Sequence, residues 1–408
     1  MSNATEDRTT LTLELPPLSL YVHVPWCVRK CPYCDFNSHE QKGELPEDDY
    51  VDALLDDFRH DLSYVQKRAI STIFIGGGTP SLLSAAAYDR LLNGLQKMAA
   101  FSSDIEITLE ANPGTAERGK FADYHSAGIN RLSLGIQSFD PQQLQQLGRI
   151  HDEHDAERAI EYAHKAGFNR LNLDIMYGLQ AQSADSAMKD LQRAIDAEPE
   201  HISWYQLTIE PNTVFFKHPP PLPPEDTLID IQDSGLTLLA DHGFTRYEVS
   251  AFARAGGQAR HNLNYWRFGD YLGIGAGAHG KITQRSRQRI LRMHKRRQPG
   301  HYLQAAAVAK KQALNQSAGN LLNRYPYLAD AGPIETDQLP LEFLLNALRL
   351  REGFTRRQFE QRTGLPFSLI AKQVESLHQR QLFRIDGDRI STTDTGYQFL
   401  NSVLEAFV

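Results

Sequence analysis

Six short apolar runs rich in β-branched residues recur through the first half of this 408-residue chain. The predicted strands are residues 20–24, 72–75, 105–109, 131–136, 171–176 and 202–209. Segments with helical periodicity separate them, most clearly residues 49–64, 85–99, 155–166 and 186–197. A strand–helix rhythm of this kind predicts parallel strands joined by crossover helices, and so restricts the first half of the chain to an α/β fold.

Glycine, proline or polar residues follow most of these runs. In parallel α/β folds the carboxyl ends of the strands meet on one side of the sheet, where binding sites collect. We therefore expect the following strand ends to face one mouth. They are Gly76-Gly-Gly-Thr-Pro80, Glu110-Ala-Asn-Pro113, Gly135-Ile-Gln137, Asp174 and Glu210-Pro211.

All three cysteines of the chain, Cys27, Cys31 and Cys34, lie in the loop that follows the first predicted strand. With no other cysteine there is no scattered disulfide framework. Three soft thiolates in one loop favour an iron–sulfur cubane that keeps one iron open to a chelating substrate. The residues alone leave other interpretations open: a zinc site completed by His39, a redox dithiol, or three inert buried cysteines.

Composition narrows the class of protein. The length suggests two or three domains, or one large α/β domain with an appendage, and a hydrophobic content of 41% is ordinary for a globular chain. A net charge of −7 argues against nucleic acid as a partner. No apolar run approaches the roughly 18–20 residues that span a bilayer, and residues 1–10 lack the apolar core of a secretory signal. Exposed thiols then favour the cytoplasm, with a homodimer and peripheral membrane contact left open.

The strand–helix rhythm breaks after residue 210. A proline-rich loop over 211–224 precedes a predicted helix over 227–242 and a short strand near 246–249. Residues 261–281, rich in aromatic residues and glycine, predict a loop-like segment packed on the first half. The run 285–297 is strongly basic, which is typical of a solvated face and less often of a site for an anionic partner.

The last 70 or so residues predict a winged-helix pattern. Helices are expected over 339–350, 355–363 and 366–378, followed by a hairpin of strands 382–385 and 389–392. DNA binding is disfavoured because the candidate recognition helix carries only Lys372 and His378 as cationic or titratable basic side chains. We expect this region to pack against the rest of the chain or to cover a substrate.

The cysteine spacing Cys27-x-x-x-Cys31-x-x-Cys34, followed one strand later by Gly76-Gly-Gly-Thr-Pro80, resembles the radical S-adenosylmethionine superfamily. The resemblance implies a partial (β/α)6 barrel and a [4Fe–4S] cluster held by the three cysteines. It further implies that S-adenosylmethionine chelates the fourth iron through its amino and carboxylate groups, with Tyr33 packed near the adenine. The segments implied are an N-terminal tail (1–18), a core barrel (19–250), a connecting segment (251–335) and a winged-helix-like C-terminal domain (336–408).

Five longer stretches look like the family of oxygen-independent coproporphyrinogen III dehydrogenases and their relatives. These stretches begin at Tyr21, Gly76, Glu110, Arg131 and Asn172. The family resemblance implies S-adenosylmethionine contacts at Tyr21, Gly77, Gly78, Thr79, Glu110, Gln137, Arg149 and Asp174. The residue types suit that role. Glycines admit close backbone approach, carboxylates hold an amino group or ribose hydroxyls, and a guanidinium binds a carboxylate.

Two features separate this chain from the dehydrogenases within that family. Phe36 stands where they carry a fourth cysteine, and the first predicted strand starts within about twenty residues. The segment His261-Asn-Leu-Asn-Tyr-Trp266 matches the signature of the HemW-type haem chaperones. That resemblance implies haem binding by His261, Tyr265 and Trp266. Without it, the same segment would be interpreted as an aromatic packing cluster with a hydrogen-bonded histidine.

The motifs together predict a haem chaperone that carries a [4Fe–4S] cluster and S-adenosylmethionine, binds haem and passes it to acceptor haemoproteins. We expect a carrier without coproporphyrinogen oxidase activity on a radical S-adenosylmethionine scaffold. The alternative is an enzyme that decarboxylates coproporphyrinogen III by radical chemistry. One departure from the family pattern, Gly178-Leu-Gln-Ala-Gln182 in place of Gly-Leu-Pro-Gly-Gln, affects only the expected shape of that turn.

Overall fold

The structure is a computed structural model that describes residues 12–114, 120–312 and 325–408. The predictions for residues 1–10, and most of the predicted N-terminal tail, lie outside these described residues. Among the described residues, none of the helices has the length and apolar character needed to cross a membrane.

One twelve-stranded sheet runs through the molecule. Its strands, numbered along the chain, are β1 (Leu18–Val24), β2 (Ile70–Gly77), β3 (Phe101–Ala111), β4 (Arg131–Gln137), β5 (Leu171–Tyr177), β6 (His201–Gln206), β7 (Thr245–Arg246), β8 (Ala251–Ala253), β9 (Asp270–Ile274), β10 (His279–Gln284), β11 (Arg289–Lys295) and β12 (Leu328–Pro333). The spatial order is β12-β11-β10-β9-β1-β2-β3-β4-β5-β6-β8-β7.

Strands β1 to β6 are adjacent and mutually parallel, as the sequence predicts. Their buried residues form near-continuous apolar runs because helices cover them, and all seven residues of β4 are buried. On the other side of β1 the sheet continues with β9, also parallel to β1, and then with the antiparallel strands β10 to β12. The predicted core and connecting segments therefore share one sheet, and the four-segment division stays a prediction.

The helices of the first 250 residues lie close to the predicted ones. The clearest difference in this part of the chain is in β3, which begins at Phe101 and not at residue 105 as predicted. The sequence did not reveal this start because residues 102–104 are polar and at least partly exposed, and so carry no apolar pattern. The helices are α1 (Glu47–Asp61), α2 (Ala85–Met98), α3 (Phe121–Ser126), α4 (Pro141–Gln146), α5 (Glu153–Lys165), α6 (Ala184–Asp196), α7 (Val214–Lys217) and α8 (Glu225–Asp241). Short 3-10 turns follow α1 at Leu62–Tyr64 and β2 at Pro80–Leu82.

The prediction of a loop-like segment over residues 261–281 is wrong. The chain there forms helix α9 (Arg260–Trp266) and then strands β9 and β10. Its glycines serve close strand pairing: a Cβ on Gly273 would lie 2.0 Å from the carbonyl oxygen of His279 on the neighbouring strand. Glycine in a strand therefore marks close backbone approach here rather than a loop.

The basic run is not a uniformly solvated face either. A 3-10 turn at Arg285–Arg287 leads into β11, where side chains alternate between the two faces of the sheet. Lys295 is buried, and its ammonium donates to Asp57 and Asp61 on α1 at 2.5 and 2.7 Å. The strand period divides the cations between exposed and buried positions, so a charge count along the sequence overstates the exposed basic surface.

The C-terminal region forms its own apolar core and packs on α9. Helix α10 (Pro299–Gln312) precedes this region. The helices of the region are α11 (Leu339–Ala347), α12 (Arg356–Thr363), α13 (Ala371–Gln379), α14 (Asp394–Gln398) and α15 (Leu400–Glu405). Its strands are β13 (Phe354–Thr355), β14 (Phe383–Asp386) and β15 (Arg389–Thr392), and a 3-10 turn lies at Phe367–Leu369. The predicted helices and the hairpin β14–β15 are present. The guanidinium of Arg349 lies 4.3 Å from the ring centre of Trp266 on α9. The region therefore directly contacts α9, the helix that carries the signature segment.

Candidate functional site

Two neighbouring cavities open beside the carboxyl ends of the parallel strands. The cysteine cavity, about 440 Å³ in volume, is lined by Cys27, Cys31 and Cys34. The aromatic cavity, about 650 Å³, is lined by Tyr21, Phe74, Tyr265, Trp266 and Tyr271. Both volumes fall in the range of roughly 300–1,000 Å³ typical of ligand pockets. The two cavities share a wall that consists of Asp35, Phe36, Gly77 and Glu110.

Backbone pairing folds the cysteine loop over the sheet edge. Trp26–Cys27 pairs in parallel with His39–Glu40, which closes the loop at its base. Within the loop the Cys34 amide donates to the Cys31 carbonyl at 3.2 Å. Cys27 is buried and the other two cysteines are half-buried. The three thiols therefore reach one cavity although they come from different parts of the loop.

The thiols surround the cavity without meeting at one point. Across the described ranges, no three His, Cys, Asp or Glu side chains converge closely enough to hold a metal ion. A zinc site completed by His39 is therefore not assembled, and His39 lines a separate pocket beside Cys34. Thiols spread around a cavity fit a cluster in which each sulfur binds a different iron. Burial raises the pKa of the Cys27 and Cys34 thiols, so bound metal would be needed to hold them as thiolates near neutral pH.

The glycine run after β2 packs against the start of the cysteine loop. Gly77 has a φ of +122°, in the region that favours glycine. A Cβ on Gly78 would lie 2.4 Å from the carbonyl oxygen of Trp26. The amide of Thr79 donates to that same carbonyl at 2.7 Å. The run lines the cysteine cavity and also fixes the loop to the sheet, so these positions have a packing role beside the predicted ligand contact.

Two half-buried carboxylates line the cysteine cavity from parallel strands β3 and β5, which lie on either side of β4. Glu110 accepts from the Gly77 amide at 3.1 Å, while Asp174 accepts from Ser133 at 3.0 Å and from Asn172 at 2.8 Å. Burial, reinforced by the nearby Asp174 charge, raises the pKa of Glu110 to about 8 despite the Gly77 hydrogen bond. Burial likewise raises the pKa of Asp174. A cationic or hydroxyl-bearing ligand placed here would satisfy both groups.

Arg149 brings a half-buried cation to the lining of the cysteine cavity. Its Nη2 donates to the side chain of Asn112 and, at 2.7 Å, to the carbonyl of Gly135. Its Nη1 lies 3.7 Å from the Cys31 sulfur. Positive charge therefore lies next to one cluster thiol, in a position suited to a ligand carboxylate.

Gln137 and Tyr33 complete the predicted set in this cavity. Gln137 has a φ of +69°, a costly conformation for a non-glycine residue and one that clusters at functional sites. Its Oε1 accepts from the Tyr205 hydroxyl at 2.7 Å, which fixes the amide in the cavity. The Tyr33 ring lies 6.4 Å from that of Phe215 on α7. The predicted roles of these side chains stay predictions, although the fold brings them together.

Sequence reasoning missed several residues of the cysteine cavity. Ser133 could have been identified from the alternation of side chains along β4, because Ser133, Gly135 and Gln137 lie on one face of that strand. Asn112 follows Glu110 within a stretch already singled out as polar. Tyr205, near the end of β6, carries no such signal, since an aromatic residue in a strand usually indicates core packing.

Five of the predicted site residues line the aromatic cavity, and two of them, Gly77 and Glu110, belong to the wall shared with the cysteine cavity. Tyr265 and Trp266 come from α9, and the Tyr265 ring packs edge-on against Tyr271 at 4.7 Å. Tyr21, predicted as an S-adenosylmethionine contact, lines this cavity and not the cysteine cavity. Its ring is stacked on Phe74, with the ring centres 6.1 Å apart. The cavity therefore has flat apolar walls suited to a large planar ligand.

His261 lies behind this wall. It is only 5% exposed, and its Nδ1 lies 3.2 Å from the Glu106 carboxylate. Its ring centre is 4.1 Å from that of Phe74, whose own ring lines the cavity. His261 is not among the residues that line either cavity. The structure thus places it as a hydrogen-bonded histidine within an aromatic cluster, the alternative that the residues alone suggested.

Comparison with known proteins places this geometry in a family. Residues 21–194 match the model of the radical SAM superfamily, and residues 334–399 match the HemN C-terminal domain. The chain is 48% identical over 396 residues to a protein named heme chaperone HemW from Escherichia coli, covering 97% of this chain and 99% of that protein. It is 47% identical to the heme chaperone HemW of Haemophilus influenzae over 399 residues, with the same two shares.

A solved structure supports the fold. Coproporphyrinogen III oxidase (HemN) from Escherichia coli, described as a radical SAM enzyme, superposes with a TM-score of 0.78. The alignment covers 96% of this chain and 90% of that one at 23% sequence identity, so the likeness concerns the fold alone. The predicted fold class, an α/β radical S-adenosylmethionine barrel followed by a C-terminal domain, is confirmed.

Proposed function

Because this chain belongs to the HemW family of haem chaperones within the radical SAM superfamily, we propose that it binds haem and passes it to acceptor haemoproteins. One observation carries the proposal. Tyr265 and Trp266, which end the family signature, form a wall of a cavity that adjoins the cysteine cavity. Haem buries a large flat apolar surface, and stacked or edge-on aromatic rings are favourable neighbours for it.

Membership of the superfamily implies a [4Fe–4S] cluster and S-adenosylmethionine. The donor set fits: three thiols surround one cavity, two half-buried carboxylates line it, and a half-buried guanidinium lies beside Cys31. We propose that the three cysteines hold the cluster. Glu110 and Asp174 would receive the amino group or ribose hydroxyls of S-adenosylmethionine, and Arg149 its carboxylate. The cluster, when bound, supplies one iron that can accept a chelating ligand.

The raised pKa of Glu110 predicts that the affinity for S-adenosylmethionine depends on pH. An iron-bound amino group is a neutral N–H donor, and its hydrogen bond to Glu110 favours the ionised carboxylate, so binding must expel the proton that Glu110 carries below its pKa of about 8. Affinity should therefore rise with pH between 6.5 and 7.5, approaching tenfold per pH unit, and level off above pH 8. Equilibrium binding to the cluster-loaded protein under anaerobic conditions measures this.

The matched variant for this test is Glu110→Gln. Glutamine can still accept the hydrogen bond from the Gly77 amide but cannot ionise, so the part of the pH dependence that is due to Glu110 should vanish. Tyr21, Tyr205 and Tyr265 also face Glu110, but burial raises the pKa of each phenol, so none ionises in this range. Equal pH slopes in the wild type and the variant would show that no ligand group that favours the ionised carboxylate binds at Glu110.

A second prediction concerns the affinity for haem. Trp266→Ala and Tyr265→Ala each remove aromatic wall, and aromatic contacts contribute about 0.5–1.5 kcal/mol beyond area burial. Each substitution should therefore weaken haem binding by roughly threefold to tenfold, as measured by absorption titration of the anaerobically reconstituted protein. Tyr162→Ala, at a partly exposed position on α5, is the control and should bind like the wild type. Unchanged affinity in both wall variants would contradict the proposed site.

An activity assay on the same reconstituted protein distinguishes a haem carrier from an enzyme that decarboxylates coproporphyrinogen III. Coproporphyrinogen III is added under anaerobic reducing conditions and the release of carbon dioxide is measured. Retained haem without decarboxylation supports a carrier, whereas turnover with weak haem retention would make this a porphyrin-synthesis enzyme. Phe36, 58% exposed on the wall between the cavities, argues for the carrier because the enzymes carry a cysteine there.

We also propose a cytoplasmic location, because half-exposed cluster thiols persist in a reducing compartment.

A further inference from the structure

A pair of histidines lies at the end of the aromatic cavity away from Trp266. His279 on β10 and His294 on β11 are directly opposite each other in the antiparallel ladder. Their rings are stacked, with centres 4.0 Å apart and planes inclined by 27°. Both side chains line the aromatic cavity. The two imidazoles therefore form one surface that faces the space in which we place haem.

The ring nitrogens of this pair have no hydrogen-bond partners among the described residues, whereas both ring nitrogens of His23 and the Nδ1 of His261 do. His23 lies between two partners, the Tyr21 hydroxyl and the Asn37 carbonyl, each 2.9 Å from a ring nitrogen. His261 is engaged by Glu106. Within residues 12–114, 120–312 and 325–408, neither His279 nor His294 makes a side-chain hydrogen bond. A lone pair on each imidazole is thus free to bind a metal.

The charge state of the pair also suits iron. Burial lowers the pKa of His294 and, together with the neighbouring His294 and arginines, lowers the pKa of His279 to about 4. Both rings are therefore neutral near pH 7. A neutral imidazole is a common axial ligand of haem iron, whereas a protonated one has no lone pair to offer.

The cysteine loop holds this end of the cavity in place. The Asn37 side chain donates to the carbonyls of Ala276 and Arg297, both at 2.9 Å. A Cβ on Gly277 would lie 2.3 Å from the Asn37 amide nitrogen, so the turn before His279 packs tightly on the loop. Arg297 lines the cavity beside the histidines. Its guanidinium is suited to a haem carboxylate.

We propose that the His279–His294 pair, and not His261, supplies the axial imidazole to the iron of bound haem, with Arg297 placed for a haem carboxylate. The inference rests on the proposed function. Because the two rings are stacked side by side on one wall of the cavity, they approach bound haem from the same direction. The pair therefore supplies one axial ligand and not two. His261 then acts as a positioning residue that supports Phe74 and, through it, the cavity wall.

Ferric haem titrations of the full-length, cluster-loaded protein test this. The variants are the double substitution His279→Ala/His294→Ala, the single substitution His261→Ala, and His154→Ala, an exposed histidine outside both cavities. Loss of groups that merely support a metal ligand lowers affinity by about 10–100-fold, so removal of the ligand should cost at least as much. The double variant should show that loss together with a shifted Soret band, and added imidazole should restore the wild-type spectrum. His261→Ala should keep the wild-type Soret position, and His154→Ala should match the wild type throughout.

The outcomes distinguish the inference from the function on which it rests. Wild-type protein that retains no haem would overturn the proposed function itself. Retained haem with a wild-type spectrum in the double variant, or a spectrum lost only in His261→Ala, would overturn the ligand assignment and leave the function standing. A measurement on unmodified protein avoids dependence on variant folding. Haem should protect His279 and His294, but not His154, from diethylpyrocarbonate, and equal labelling with and without haem would refute the assignment.

Discussion

Replacing Cys31 with serine is expected to abolish assembly of the iron–sulfur cluster. The chain has only three cysteines, all of which line the cysteine cavity, so no other thiol can substitute. Anaerobic reconstitution should give about four irons and four sulfides per wild-type chain, and less than about one of each in the variant. The absorption band of the cluster should disappear with them. Cys27→Ser and Cys34→Ser should behave alike.

The surroundings of Cys31 explain why a serine would not serve. The Arg149 guanidinium lies 3.7 Å from the sulfur and places positive charge beside a developing thiolate. A serine hydroxyl is far less acidic and is a hard ligand, whereas iron–sulfur clusters are held by soft thiolates. Loss of the cluster should also remove tight binding of S-adenosylmethionine, because its chelating iron would be gone.

The control for cluster assembly is Ser38→Ala. The Ser38 hydroxyl lies 3.9 Å from the Cys34 sulfur but offers no cluster ligand, so this variant should reconstitute like the wild type. Zinc content is measured in parallel. Full cluster content in Cys31→Ser would refute ligation by this cysteine, and stoichiometric zinc in the wild type would restore the zinc interpretation.

The parallel half of the fold is predictable because its signal is local and repeated. Buried parallel strands are apolar over their whole length, so β1 to β6 stand out against the amphipathic helices between them. The strands after residue 250 lack this contrast. Strand β10 begins at an exposed histidine and β11 carries four cations or histidines among its seven residues. Their pairing is decided by partners distant in sequence, which local patterns do not report.

The candidate site likewise has residues that the sequence predicts and residues whose placement it does not predict. Residues at strand ends, such as Glu110 and Gln137, were predictable because the carboxyl ends of parallel strands share one side of the sheet, whereas Asp174 lies in the middle of β5. Strand periodicity does not say which of two adjacent cavities a side chain enters, so the sequence could not show that Tyr21 lines the aromatic cavity. The orientation of His261 toward Glu106, 155 positions earlier in the chain, is likewise a tertiary property. The histidine pair on β10 and β11 is invisible until their register is known.

The basic segment shows how tertiary structure changes the meaning of a charge. Lys295 is the most deeply buried cation of that run, and its ammonium pairs with the carboxylates of Asp57 and Asp61. Burial alone would lower the pKa of Lys295, but the Asp57 and Asp61 carboxylates outweigh this and leave the pKa raised. Asp57 also accepts from the Tyr302 hydroxyl at 2.7 Å, so the ion pair joins α1, β11 and α10. The cation therefore belongs to the core.

Lys295→Ala is accordingly expected to lower the free energy of unfolding by about 3–5 kcal/mol, because it leaves two buried carboxylates without their cation. Denaturant unfolding measures the loss. Arg285→Ala, at an exposed position of the same basic segment, is the matched control and should stay within about 0.5 kcal/mol of the wild type. The triple variant Asp57→Asn/Asp61→Asn/Lys295→Met removes every charge of the group and should recover part of the stability. A loss below about 1 kcal/mol in Lys295→Ala would mean that the carboxylates are neutral or hydrated, and the basic segment would then be a solvated face after all.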